Sequence, residues 1–382
     1  MQPTSDTPAH TPDQLETPDY AAIRDSFSEE LKLAAQGQQT SLPFVRNPIS
    51  GKSLVSPGEI FEALVIGGTN AEAATLRYNA DGTINIIDYA KYEQLPKFDS
   101  TDSLLRFVDQ HVDDIATNIG LNFAFGLRPQ LGDAGQIDGV MLGGDGKGHT
   151  LEDLAGKSVG KSVEACFDRL HHRAVTVSVA NDIVCLIASV AGKDVDSSSL
   201  VAGIVGTGYN MAFFLDPHTI INVQAGSFNG FKPTESGGII DRESSNPGRQ
   251  LFEKAVAGGE LYKHYNLLAG QRGLKPEHIH STKELADIAT VNQGKEGDLA
   301  RSLFERSAGL LAAQFAGLYN FKGRPQKLTA IMQGSLFWEG PGYKEAFVHK
   351  LEELGVPAEA VVFETLERSG IIGIAKLITG AL

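Results

Sequence analysis

Two segments of this chain follow the same local pattern, and that duplication constrains its fold more than any other feature. The first runs Phe61-Glu-Ala-Leu-Val-Ile66, then Gly67-Gly68-Thr69-Asn70, then Ala71-Glu-Ala-Ala-Thr-Leu-Arg-Tyr78. The second runs Leu200-Val-Ala-Gly-Ile-Val205, then Gly206-Thr207-Gly208-Tyr209-Asn210, then Met211-Ala-Phe-Phe-Leu215. Each reads as a strand, a tight Gly/Thr turn and a second strand. The first continues through the turn Asn79-Ala80-Asp81-Gly82 into a third strand over Thr83 to Ile87. Two similar halves predict a duplicated domain with a cleft between the copies.

Helical periodicity follows each meander. Ser100 or Thr101 caps a helix with Leu104, Leu105, Phe107, Val108, Val112 and Ile115 on one face. Further helices are expected at Asp19 to Gln36, about Leu151 to His171, Ile183 to Ala191, Gly248 to Leu268, Ser281 to Ala289, Leu299 to Phe321, and Ser369 to the C-terminus. Buried-type strands are expected at Leu121 to Phe125, Ala174 to Val179 and Leu328 to Met332. Leu42-Pro43-Phe44-Val45 reads as irregular and Asn47 to Gly58 as turn-rich. Strands alternating with long helices indicate α/β layers.

Composition narrows the function classes. The formal charge of −14 argues against a general nucleic-acid binder. No apolar run approaches the roughly 18 residues of a membrane span, so no membrane partner is expected. The two cysteines, Cys166 and Cys185, sit among apolar residues, which excludes a disulfide scaffold and points to a reduced, cytoplasmic setting. Residues 1–18 are rich in Thr, Pro and Asp, carry no signal-peptide pattern and read as a flexible tail. Glycine, 42 of 382 residues, exceeds the usual share of about 7%, and much of the excess falls at expected strand ends.

Small residues in a turn let backbone N–H groups close on a phosphate. Two such turns at equivalent places could grip adjacent phosphates of one nucleotide in the cleft, although each also simply makes a hairpin. Asn181-Asp182 falls where a strand ends and a helix begins. It reads as a helix N-cap and also as a carboxylate at the cleft, poised as a base towards a hydroxyl; both can hold. Glu253 falls one turn into a helix announced by Asn246-Pro247-Gly248. His171-His172 and His278/His280 lack partners at ligand spacing and read as surface residues. The sequence leaves any metal ligand unassigned.

In this order the motifs resemble those of the eukaryotic-type hexokinases and glucokinases, from about Asp19 to the C-terminus. Leu42 to Val45 is similar to the segment leading into that family's small domain. Gly67 to Asn70 resembles its first phosphate motif and Gly206 to Asn210 its second. Asn181-Asp182 is similar to the pair that holds the sugar, with the Asp as base. Asn246 to Lys254 resembles the helix supplying a sugar-binding Glu, and Gln333-Gly334-Ser335 the adenosine loop. Ser369-Gly370 resembles the start of the closing helix.

The resemblance implies an actin-like ATPase (ribonuclease H-like) α/β fold with two lobes and a central cleft. Residues 58–181 with 369–382 would form the small lobe, and 19–57 with 182–368 the large one. It implies an ATP-dependent hexose kinase that moves the γ-phosphoryl to a sugar 6-hydroxyl, with ATP and Mg2+ as cofactors and a hexose as partner. Asp182 and Lys147 would be catalytic. Asn181, Asn210, Gln224 and Glu253 would hold the sugar. Gly67, Gly68, Thr69, Asn70, Gly206, Thr207, Gly208, Gly334 and Ser335 would hold the nucleotide.

The sequence also departs from the family. Val65 stands where the first phosphate motif has an Asp that organises Mg2+ and its waters. The sugar loop Phe-Ser-Phe-Pro reads Phe123-Ala124-Phe125-Gly126, and Asn-Trp-Thr-Lys reads Gly143-Gly-Asp-Gly-Lys147. Gln224 replaces the Glu before Trp-Gly, and Gln333 an Asp. These departures keep open a catalytically weak sugar- or nucleotide-binding regulatory protein, and a kinase for another polyol or an amino sugar.

Overall fold

The computed structural model describes Leu15, residues 17–68, 70–143, 149–274 and 277–382, and the backbone of Asp145 and Gly146. Most of the expected N-terminal tail, and both Thr69 and Lys147, lie outside the described residues.

Helix α1 (Tyr20–Ala35) and strand β1 (Val45–Pro48) precede the first repeat. That repeat comprises β2 (Ile60–Ile66), β3 (Ala71–Tyr78), β4 (Ile84–Tyr92), α2 (Thr101–Gln110), β5 (Asn118–Phe123), β6 (Leu127–Leu131), β7 (Ile137–Met141), β8 (Asp145–Gly146), β9 (His149–Thr150), α3 (Val159–His171), β10 (Thr176–Ala180) and α4 (Asp182–Val190). The second comprises β11 (Leu200–Val205), β12 (Tyr209–Asp216), β13 (Thr219–Asn222), α5 (Glu235–Glu243), α6 (Leu251–Val256), α7 (Gly258–Gln271), α8 (Thr282–Val291), α9 (Lys295–Phe321), β14 (Leu328–Gln333), α10 (Ser335–Glu339), α11 (Tyr343–Glu353), β15 (Val361–Glu364) and α12 (Ser369–Thr379).

The duplication is visible in strand order. The first sheet runs β10-β5-β2-β3-β4 and the second β1-β13-β12-β11-β14-β15. Apart from the added β1, each places an antiparallel three-strand meander beside two parallel strands in the same sequence. Helices α4 and α12 pack on each other between the sheets, through Ile183, Ile187, Ile371, Ile374 and Ile378. The remaining face of the first sheet is covered by α2 and α3 around Leu64, Phe107 and Phe167. The second sheet's outer face packs on α1 and α9, where Phe27 meets the Phe228 ring edge-on at 5.3 Å.

Local chemistry explains these elements. Asp19 caps α1 by accepting from the Ala22 amide at 2.9 Å, and Ile23, Phe27 and Leu31 then form its buried stripe. Ser100, rather than Thr101, caps α2 in a capping box with Ser103.

Several expectations are corrected. Val45 belongs to β1 rather than to an irregular segment, and β1 is an edge strand, where Pro48 costs no ladder bond. The third strand extends to Tyr92. Helix α2 stops at Gln110, leaving Val112 and Ile115 beyond it, with Ile115 exposed. The helix expected over Leu151 to His171 is a short 3-10 turn, Glu152–Leu154, and then α3, restarted by Ser158. The helix expected over Gly248 to Leu268 is two, α6 and α7, broken at Ala257. Among the described residues, no helix is long and apolar enough to cross a membrane.

Candidate active site

Equivalent turns of the two sheets carry the two glycine motifs. In the first, the Gly67 amide donates to Asn70 O at 3.0 Å; in the second, the Gly206 amide donates to Gly208 O, also at 3.0 Å. One amide of each turn therefore closes the turn itself.

The second turn is braced from outside. The first amides of α7, Gly258 and Gly259, donate to Gly206 O at 2.7 Å and Thr207 O at 3.0 Å. This explains the break at Ala257: helix α7 spends its free N-terminal donors on the loop. A Cβ on Gly258 would stand 2.8 Å from the Gly206 oxygen, so only glycine permits that approach. Gly334, between β14 and α10, has φ +110, and a Cβ there would overlap the Val205 carbonyl. The loop therefore rests on two other backbone segments.

Beside it lies a cavity of about 660 Å³, lined by Gly206, Thr207, Gly258, Tyr262, Ser335 and Glu339, among others. His280, read from sequence as a surface residue, also lines it. Gln333 ends β14 and donates to Ser369 Oγ at 2.9 Å, joining the Gln333-Gly334-Ser335 loop to the first turn of α12.

Glu253 on α6 faces inward. Its Oε2 accepts from the Tyr209 amide at 2.9 Å, so this carboxylate grips the strand immediately after the glycine turn. Behind it, Lys254 and Asp241 form an ion pair at 2.6 Å, and Lys254 also donates to Asn246 O.

Asn181 and Asp182 stand at the junction of β10 and α4. Asn181 occupies the N-cap position, but its side chain makes no capping bond. Its Nδ2 instead donates to Phe125 O at 3.1 Å and Phe123 O at 3.4 Å, across to the strand end of β5. Asp182 is half-buried, and its Oδ1 accepts from the Ile183 amide at 2.8 Å.

A residue that sequence reasoning missed links this junction to the other sheet. Asn222, at the end of β13 and 3% exposed, donates to Asn181 Oδ1 at 2.9 Å. Its own Oδ1 accepts from Asn210 Nδ2 at 2.9 Å and from the Gln224 amide at 3.2 Å. Asn210 Oδ1 in turn accepts from the Met211 amide at 2.8 Å. Backbone donors at one end and carbonyl acceptors at the other fix every amide orientation in this relay. Gln224 adopts a left-handed conformation, φ 56, that turns the chain out of β13 beside it. The one signal available in the sequence was a lone Asn in the apolar run Ile220-Ile221-Asn222-Val223.

Thus Asn181, Asn210 and Gln224 meet Asn222 in one network, while Glu253 is joined to the Gly206–Gly208 turn. Val65, one strand end away, packs against the first turn of α12, where a Cβ on Gly370 would come within 2.9 Å of Val65 Cγ2.

No protein-family model matches the chain. Its curated relatives are hexokinases. That of Schistosoma mansoni is 26% identical over 286 residues, covering 66% of this chain and 62% of that protein. Hexokinase-1 of Rattus norvegicus is 26% identical over 387 residues, covering 84% of this chain and 41% of that protein. The match to these relatives thus spans less than two thirds of their own length. Among solved structures, the hexokinase from Schistosoma mansoni complexed with glucose superposes with a TM-score of 0.77 at 20% identity over 97% of both chains. The resemblance read from the motifs therefore holds, and the fold is that of the actin-like ATPases.

Proposed function

We propose that this chain, similar to hexokinases in sequence and fold, is an ATP-dependent hexose kinase that transfers the γ-phosphoryl group to a sugar 6-hydroxyl. The observation that carries this reading is the junction at Asn181-Asp182. A half-buried carboxylate opens α4 beside an amide relay that runs from one sheet to the other. Asp182 accepts the hydroxyl proton as the sugar oxygen attacks. Both Nδ2 hydrogens of Asn181 go to carbonyls, so it meets the sugar as an acceptor. Asn210 keeps one amide hydrogen and meets it as a donor. Gln224 and Glu253 complete the sugar's surroundings, and Lys147 steadies the sugar and the charge on the transferred group.

The nucleotide lies in the cavity beside Gly334 and Ser335, with its phosphates against the two turns. Gly67, Asn70 and Gly206 shape those turns; Gly68, Thr207 and Gly208 donate backbone amides to the phosphates in this reading, as does Thr69, which lies outside the described residues. Phosphoryl transfer is mostly positioning and charge neutralisation, which a closing two-lobed cleft provides. Residues 58–181 with α12 move as one lobe, and 19–57 with 182–368 as the other. Closure excludes water, the competing acceptor.

Mg2+, when bound with the nucleotide, neutralises phosphate charge. Among the described residues, no group of three or more His, Cys, Asp and Glu could hold a metal alone. On the strands beside Val65, however, two buried acceptor atoms, Glu72 Oε2 and Asn122 Oδ1, have no hydrogen-bond donor among these residues. They suit a cation carried mainly by the phosphates.

Val65 itself favours a second reading, a sugar- or nucleotide-binding regulatory protein with little turnover. ADP release measured across a panel of hexoses, polyols and amino sugars, with Mg2+ and with Mn2+, separates the two. Turnover on a hexose is expected. Sugar binding without ADP release would support the regulatory reading.

A further inference from the structure

Val65 leaves the end of β2 without a carboxylate, yet the adjoining strand presents one at the same level. In the antiparallel β2–β3 ladder Val65 pairs directly with Glu72, and in the parallel β2–β5 ladder it pairs with Asn122. Paired residues share a face of the sheet. Asn122, Val65 and Glu72 thus form one row across three strands. That face is the one covered by α12. Phe61 and Ala63 of β2, and Ala74 and Leu76 of β3, lie two and four residues along from the row on the same face, in the core that α12 closes. A Cβ on Gly370 would stand 2.7 Å from Asn122 Nδ2 and 2.9 Å from Val65 Cγ2, so the first turn of α12 lies directly over the row.

Two atoms of this row are anomalous. Asn122 is 2% exposed, and its Oδ1 is buried with no hydrogen-bond donor among the described residues. Glu72 Oε2 is buried and equally without a donor among the described residues. A buried acceptor left unmet is destabilising, and more so when it is charged. Tyr89 hydrogen-bonds the Glu72 carboxylate, and Lys91 and Arg368 attract it from farther off. The Arg368 guanidinium itself lies over the Tyr89 ring, 4.3 Å from its centroid. Burial outweighs these three and raises the Glu72 carboxyl above its usual value, the behaviour of an anion short of a counter-charge. By strand register Glu72 and Asn122 flank Val65, one on each neighbouring strand.

We infer that Glu72 supplies, from across the β2–β3 ladder, the carboxylate that β2 lacks at Val65, and that with Asn122 Oδ1 it orients the hydrated divalent cation of a metal–nucleotide. This rests on the proposed nucleotide site. It makes Glu72 a positioning residue: the phosphates hold the metal, and the carboxylate and amide oxygens take up hydrogen bonds from its water. The carboxylate missing at Val65 is then relocated to Glu72 rather than lost.

Calorimetric titration of ATP and of a non-hydrolysable analogue, with Mg2+ and with EDTA, tests this without turnover. The unmodified chain should bind the nucleotide more tightly with Mg2+. In Glu72→Gln that enhancement should fall about tenfold, the scale of losses from outer-shell partners of a metal. Affinity in EDTA should hold or rise, because a negative charge near the phosphates is gone. Glu72→Asp, which keeps the charge with shorter reach, should fall between the two. Val65→Asp combined with Glu72→Gln should restore the enhancement, since the carboxylate then returns on the neighbouring strand. Water-proton relaxation with Mn2+–nucleotide should follow the same order.

Full Mg2+ enhancement in Glu72→Gln would overturn the inference. So would an equal loss of binding with and without metal, which would make Glu72 a structural partner of Tyr89 and Arg368. A wild-type chain that binds nucleotide indifferently to Mg2+ would overturn it too, while leaving the nucleotide site standing. No nucleotide binding at all would instead overturn the proposed function.

Discussion

The side-chain amide of Asn222 donates to Asn181 Oδ1 at 2.9 Å, joining the end of β13 in one sheet to the end of β10 in the other. The same side chain accepts from Asn210. One buried residue thus sets the orientation of two asparagines that the account places on the sugar. Asn222→Ala should leave Asn181 Oδ1 and Asn210 Nδ2 unmet, at about 1–3 kcal/mol of stability. The functional signature is a KM for sugar that rises far more than kcat falls, measured by initial rates; an unchanged KM would remove Asn222 from the site.

Gly258 approaches the Gly206–Gly208 turn closely enough that a methyl group has no room, 2.8 Å from the Gly206 oxygen. Gly258→Ala should displace that turn and weaken nucleotide binding by about five- to 150-fold, equivalent to about 1–3 kcal/mol, measured by calorimetry. Sugar affinity, proposed to rest on the asparagine relay, should change little.

Two buried titrating groups give opposite pH slopes. Burial pushes the Glu62 carboxyl on β2 up to about 7, partly opposed by a hydrogen bond from Thr75. A raised carboxyl stabilises the fold at acid pH, and that contribution is lost as pH rises through about 7. Burial pushes His264 down to about 4. Its contribution is intact above the unfolded value near 6.5 and is lost as pH falls towards 4. Thermal melts should therefore show Glu62→Gln raising Tm at pH 8 by a few degrees, with little gain at pH 4. His264→Gln should flatten the acid limb between pH 6.5 and 4. The reverse assignment of these limbs would contradict the burial of both groups.

Sugar contacts proposed from both lobes require closure. Small-angle scattering with saturating hexose should give a smaller radius of gyration than the chain alone, and an unchanged profile with binding shown independently would count against a clamp.

What the sequence displayed and what it hid follow from range. The two turns, the Asn181-Asp182 junction and the helix carrying Glu253 were legible because each is set by neighbouring residues. The break between α6 and α7 was not, since it arises where Gly258 and Gly259 bond to a loop some fifty residues earlier in the chain. Asn222 and Glu72 carry no motif. Their importance lies in the partners that strand register brings beside them, Asn181 and Asn210 for one, Val65 for the other. Edge strand β1 was hidden because four residues ending in proline resemble a loop until β13 pairs with them.

Asp182 is proposed to take the proton of the attacking sugar hydroxyl, and Asp182→Asn isolates that step. The substitution keeps shape and hydrogen-bonding capacity while removing the base. Measured together, sugar affinity by calorimetry and turnover by ADP release should part company. Binding should stay within a few-fold of the parent, while kcat falls by about 10²–10⁴. Parental turnover in Asp182→Asn would contradict the account, because the proton would then leave by another route.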